Sequence, residues 1–203
     1  VSVTCPALVI DGSSTRFFSG IFGENGSWLA RKTADAPALE SLFQTVEGVL
    51  SDAGLELEAI QSFIYCEGPG SVLGLRLCAM AIETWSRLFP SEVNLYSYNA
   101  MQLAAADLLK QNKITEVSLL ISDWKKDAWN SLKLSAESLE PVAPISTEEL
   151  GTWQGRLFHL PARKGWQAAP AQAIELAYSP EYLPALLEVP ELIKKTASVE
   201  LYQ

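Results

Sequence analysis

The segment Glu67-Gly68-Pro69-Gly70-Ser71-Val72-Leu73-Gly74-Leu75-Arg76 constrains the fold more than any other. It follows Ser62-Phe63-Ile64-Tyr65-Cys66, an apolar run of strand length. Gly68, Pro69 and Gly70 break that strand. Ser71 then stands where an N-cap belongs, since its hydroxyl can accept from a backbone N–H of the first helical turn. The spacing predicts a helix over 72–89, ended by Pro90. Such a turn presents N–H groups and the positive end of a helix dipole, so Gly68, Pro69, Gly70, Ser71, Gly74 and Arg76 are the candidate anion-binding residues. The same glycines also suit a purely structural turn, through positive φ and close packing, and from physics alone that reading is preferred. No Lys follows in the Walker pattern, which excludes a P-loop.

Upstream, Cys5–Ile10 is a buried-strand pattern that ends in Asp11-Gly12-Ser13-Ser14. Strand-like runs at 16–23 and 27–34 flank Glu24-Asn25-Gly26, and Asn-Gly is a strong hairpin signal. Leu39, Leu42, Phe43, Val46, Val49 and Leu50 then recur at helical spacing over 37–53, with Gly54 as the stop. Residues 93–98 read as a strand, and Asn99 as an N-cap for a helix over 100–111. The order βββαβαβα predicts an α/β fold with a mixed sheet.

A second, shorter cycle begins at Glu116. Strand-like runs at 116–122 and 128–135 enclose Asp123-Trp124-Lys125-Lys126-Asp127, and Ser146 with Glu149 predicts a capping box. Residues 156–160 read as a strand. The tail, with prolines at 170, 180, 184 and 190, reads as short helices. Two related lobes follow, residues 1–110 carrying the Gly-Pro-Gly-Ser motif and residues 111–203 forming a reduced second lobe.

The net charge of −9 and the short Lys/Arg pairs argue against direct nucleic-acid binding. Three widely spaced cysteines, Cys5, Cys66 and Cys78, read as buried hydrophobes in a reducing compartment rather than as metal ligands. With no leader pattern and no spanning apolar run, a cytoplasmic, membrane-free protein is expected. No metal or cofactor is expected. The single histidine, His159, reads as a packed, hydrogen-bonded residue and cannot form a paired-His site. A Ser-His-Asp hydrolase lacks its G-x-S-x-G elbow. Of the six tryptophans, Trp28, Trp85, Trp124, Trp129, Trp153 and Trp166, most are expected in the core or at its rim.

Gly68-Pro69-Gly70-Ser71 with Gly74 and Arg76 resembles the GPGSFTGxR signature of the TsaB (YeaZ)-like family of tRNA threonylcarbamoyladenosine biosynthesis proteins. Asp11-Gly12-Ser13-Ser14-Thr15 is similar to that family's D-T-S-T turn, and the closing Val199-Glu200-Leu201-Tyr202 is faintly like its terminal P-x-Y-L-R. The sequence departs from the pattern at Val72-Leu73 (Phe-Thr in the family), at Asp123-Trp124-Lys125 (D-A-R) and at Ala36-Pro37-Ala38 (His-Ser). The resemblance implies an actin-like ATPase (ribonuclease H-like) fold and a non-catalytic scaffold. Its partners would be a second copy, a TsaD-like catalytic subunit, or both, with a TsaE-like ATPase in the complex. A kinase-like nucleotide-binding enzyme of the same superfold is the alternative, as is an orphan homodimer that has lost the pathway role.

In the ATPases of that superfold, Asp11 would approach metal and phosphate. Here Asp11, Ser13 and Ser14 read instead as a degenerate phosphate-type turn with Asp11 in an Asx turn. The second phosphate turn, 123–127, has no glycine, and Gly151, Gly155 and Gly165 are isolated. Helices 37–53 and 72–89 are apolar over more than one stripe, so they are expected to pair with a partner. Leu39, Leu42, Phe43, Val46, Val49, Leu50, Leu75, Ile82 and Trp85 are the interface candidates.

Overall fold

The computed structural model of the chain describes residues 2–89, 92–111, 113–136, 138–161, 167–189 and 191–202. Pro90, Gly165, Trp166 and Pro190 lie outside them. In chain order the first elements are β1 (Ala7–Asp11), β2 (Phe17–Phe22), β3 (Trp28–Ala34), α1 (Ala38–Ala53), β4 (Ser62–Gly68), α2 (Val72–Leu88) and β5 (Asn94–Asn99). Then come α3 (Ala100–Lys110), β6 (Ser118–Lys125), β7 (Ala128–Ser135), β8 (Ser138–Leu139), β9 (Ala143–Ser146) and α4 (Thr147–Gly151). The chain continues through β10 (Arg156–His159), β11 (Ile174–Glu175) and β12 (Ile193–Thr196), with 3-10 turns at Leu57–Ala59 and Pro180–Leu186. None of the described helices is long and apolar enough to cross a membrane.

Two compact units result. Unit 1 is residues 1–99 with 180–203, and unit 2 is residues 100–179. The sequence boundary at 110 gives way to one at 99–100, because α3 packs on β6 and β7. The tail rejoins unit 1 because β12 pairs antiparallel with β5, Ile193 opposite Tyr98.

The sheet of unit 1 runs β12-β5-β4-β1-β2-β3. β1 is parallel to β4 and β4 to β5, whereas β2 is antiparallel to β1 and β3 to β2. This is the ribonuclease H-like arrangement. β1 and β2 are buried along their whole length, which explains why apolar residues dominate both, with Asp11 and Ser19 as the polar exceptions. Helix α1 covers one face with Leu42, Val46, Val49 and Leu50, spaced i, i+4, i+7 and i+8, and all four are buried. Each such side chain contributes on the order of 1.5–3 kcal/mol relative to exposure. Gly54 ends α1 in the left-handed region at φ 66°, donating its N–H to the carbonyls of Leu50 and Ser51. Cys78, Ala81, Ile82 and Trp85 bring α2 onto the same core. Residues 198–202 add Val199 and Leu201 to it, tied by the Glu200 N–H to the Tyr65 hydroxyl (2.8 Å) and the Tyr202 N–H to the Glu67 carbonyl (2.7 Å).

Unit 2 repeats this topology in short form. Its sheet runs β11-β10-β6-β7-β8, with β9 also on β7. β6 is parallel to β10 and β10 to β11, and β7 is antiparallel to β6. The β6–β7–β9 meander leads through α4 to β10, as β1–β3 leads through α1 to β4. The predicted capping box is present: Ser146 accepts from the Glu149 N–H at 3.1 Å, and Glu149 accepts from the Ser146 N–H at 3.0 Å.

Candidate functional site

Strand β4 ends at Gly68, whose φ of +115° few L side chains adopt. Ser71 caps α2, accepting the Gly74 N–H at 3.3 Å, and its carbonyl accepts the Leu75 N–H at 2.9 Å. The turn is not open toward solvent. It is pressed against the turn that follows β1. The Ser71 N–H donates to the Ser13 carbonyl at 2.6 Å. A Cβ at Gly70 would overlap the Ser13 carbonyl oxygen, and one at Gly74 would overlap the Gly12 carbonyl oxygen. The glycines of the motif are there for backbone-to-backbone approach.

Asp11 is 2% exposed. Its carboxylate accepts the Ser13 N–H at 2.7 Å on Oδ1, the Asx turn expected from sequence, and the Tyr98 hydroxyl at 2.5 Å on Oδ2. Ser14 Oγ donates to the Arg16 carbonyl at 2.8 Å. The N–H groups of Ser13, Ser71, Gly74 and Leu75 are thus donated within the chain. Beside the turn the Glu67 carboxylate accepts from the Ser97 hydroxyl at 2.9 Å and from the Asn99 amide at 3.5 Å, which sets negative charge where an anion would approach. Asn99, read from sequence as a helix cap, is the last residue of β5 and immediately precedes α3. Burial first, and the Glu67 charge second, push the Tyr202 phenol up. Burial, with the Asp11 charge behind it, pushes the Cys78 thiol up, so this sulfur is held as a neutral packing group. Arg76 is exposed on α2.

The corresponding hairpin of unit 2 has no glycine at its tip, and Asp127 takes φ 60° there. Lys125 stacks over Trp124 at 4.1 Å, and the Gln167 amide holds the carbonyls of Lys125 and Ala128. His159 Nδ1 lies 2.8 Å from the Leu160 carbonyl, a packed, hydrogen-bonded position. Among the described residues no group of three or more His, Cys, Asp or Glu could hold a metal.

The apolar helices divide sharply. Leu42, Val46, Val49, Leu50, Leu75, Ile82 and Trp85 are buried, which corrects the reading of all but Leu42 and Trp85 as interface residues; those two also reach the groove between the helices. Leu39 and Phe43 are each 65% exposed. With Met80, 63% exposed, and with Leu77, Thr84 and the edge of Trp85, they line a groove of about 250 Å³ between α1 and α2. Phe43 meets Trp85 edge to face at 6.4 Å. Leu77 and Thr84 were not singled out from sequence, because the wide apolar stripe of α2 does not say which flank the neighbouring helix leaves open. Tyr98 was missed for a similar reason: it lies 87 residues from Asp11 in sequence, and no local signal links them.

No family model matches the chain, and no curated protein matches its sequence. Solved structures do. YeaZ from Pseudomonas aeruginosa superposes with a TM-score of 0.59 at 17% identity, covering 76% of this chain and 74% of that one. A second structure, described as an uncharacterized protein with similarity to peptidase YEAZ from Pseudomonas aeruginosa, reaches 0.66 at 16% identity and covers 97% and 98%. The chain has the YeaZ fold, carried with a divergent sequence.

Proposed function

We propose that the chain is a non-catalytic scaffold of the TsaB type, supporting a TsaD-like catalytic subunit in threonylcarbamoyl transfer to the adenosine beside the tRNA anticodon. The carrying observation is where its exposed apolar surface lies. Leu39, Phe43, Val72, Leu73, Met80 and Leu88, six of the ten exposed large hydrophobic residues among those described, belong to α1 and α2, and Leu39, Phe43 and Met80 line one groove. A concentrated apolar face on two adjacent helices suits a helical bundle with a partner. The closed turn at Asp11–Ser14 fits the same reading, since catalysis by a nucleotide-using member of this superfold needs that backbone free for phosphate. The α1 helix exposes Glu40, Glu47 and Asp52 and has no basic residue, whereas α2 exposes Arg76 and Arg87 with a single acidic residue, Glu83. A two-fold pairing that sets α1 of one copy against α2 of the other is therefore electrostatically matched.

The test is the tRNA of cells that lack this chain. Threonylcarbamoyladenosine should fall, wild type should restore it, and Phe43→Glu should not. An unchanged modification level with a stable homodimer would sink the pathway role and favour an orphan relative. Val72 and Leu73, exposed where the family signature has Phe-Thr, motivate that second reading.

A further inference from the structure

We propose that Met80 is a peroxide-modifiable site whose oxidation to the sulfoxide weakens pairing of two copies of this chain through the α1–α2 groove. The inference rests on the pairing face proposed above and adds a mode of regulation to it. The chain has two methionines. Met101 is fully buried in unit 2, whereas Met80 is 63% exposed and lines the groove. Reagent access therefore differs between them, and a peroxide should reach one thioether far faster than the other. An exposed methionine in an apolar groove also has a physical use in the reduced state: its unbranched, polarisable side chain adapts to whatever packs against it.

The groove offers the oxidised form little to bond with. The sulfur lone pair attacks a peroxide oxygen, the O–O bond breaks, sulfur is oxidised by two electrons and the peroxide is reduced to water. The product carries a strongly polar S–O acceptor. The hydroxyl among the lining side chains belongs to Thr84, and that hydroxyl already donates to the Met80 carbonyl at 2.7 Å. Around it stand Ala38, Leu39, Leu42, Phe43, Leu77 and Ala81, which carry no side-chain donor, so the Trp85 indole N–H is the one other side-chain donor in the lining. Covering the groove with a second copy buries the new acceptor among mostly apolar groups, twice over in a two-fold pair.

The experiment uses the full chain, untreated or exposed to hydrogen peroxide, as wild type and as Met80→Leu. Peptide mass analysis should show one added oxygen at Met80 before any at Met101. Sedimentation should show self-association weakened about tenfold or more in the treated wild type. Methionine sulfoxide reductase should restore it, and treated Met80→Leu should associate like the untreated protein. Equal oxidation of the two methionines, unchanged association after Met80 is fully oxidised, or an equal loss in Met80→Leu would each overturn the inference while leaving pairing intact. An untreated wild type that stays monomeric at high concentration would instead remove the pairing reading, and this inference with it.

Discussion

Replacing Gly74 by Ala should destabilise unit 1 far more than the same replacement at Gly48, although both glycines are helical. At Gly74 the added methyl overlaps the Gly12 carbonyl oxygen and lies 3.0 Å from its carbon. Both contacts are backbone, so no rotamer change relieves them, and α2 must part from the turn after β1. Overpacking of that kind costs about 1–3 kcal/mol. Displacement also stretches the Ser71 N–H to Ser13 bond, worth about 1 kcal/mol. The gain in helix propensity from Gly to Ala offsets at most about 1 kcal/mol. The net loss should be about 1–3 kcal/mol. At Gly48 the methyl meets the end of the Lys32 side chain, with Nζ at 2.8 Å. That chain can swing aside, giving up an exposed pair with Asp52 worth no more than about 1 kcal/mol, so propensity leaves Gly48→Ala close to neutral. Urea unfolding followed by tryptophan fluorescence should place the Gly74→Ala midpoint roughly 1 M below that of Gly48→Ala, for a slope of about 2–3 kcal/mol per M. Coincident midpoints would refute the claim that the two turns meet backbone to backbone.

Two other outcomes follow from the same geometry. Tyr98→Phe removes a donor from the buried Asp11 carboxylate and should cost about 1.5–3 kcal/mol in the same unfolding assay, whereas a neutral result would show that this hydroxyl contributes nothing to holding Asp11. Hydrogen bonds from the Ser146 backbone and then its side chain hold the Glu149 carboxyl below the usual carboxylate range, so the capping box stabilises the fold above the unfolded-state value and is lost as pH falls through the depressed one; NMR titration should find Glu149 depressed in the wild type and returned toward the ordinary value in Ser146→Ala.

Much of unit 1 can be read from its sequence because the signals are local. Asn25-Gly26 marks a turn between two strand-like runs, and Gly54 and Ser71 mark helix ends that the structure places within a residue or so. β12 is illegible for the opposite reasons. It is a four-residue edge strand, two of its residues are Lys194 and Lys195, and its partner β5 lies about a hundred residues away. The closed turn was half legible. Gly70 and Gly74 announce that something comes close, but sequence does not say that the visitor is the carbonyl of Ser13 or Gly12 rather than an anion. The groove was legible as an excess of apolar positions and not as particular residues: Leu39 and Leu42 are three apart on one helix, yet one faces solvent and the other the sheet.

The division of unit 1 into two stretches of chain has a consequence for its biosynthesis. When β5 leaves the ribosome, its outer edge has no partner, because Ile193–Thr196 has not been made. The whole of unit 2, residues 100–179, is translated in between. At about 5–20 residues per second, that interval lasts on the order of 4–20 s. Throughout it the nascent chain presents an open strand edge bearing Leu95, Tyr96 and Tyr98, a surface suited to a chaperone and prone to pairing with other chains. Unit 2 has no such gap, since its strands are contiguous in sequence. It can fold first, and the older half of the polypeptide must wait for the younger end to close it.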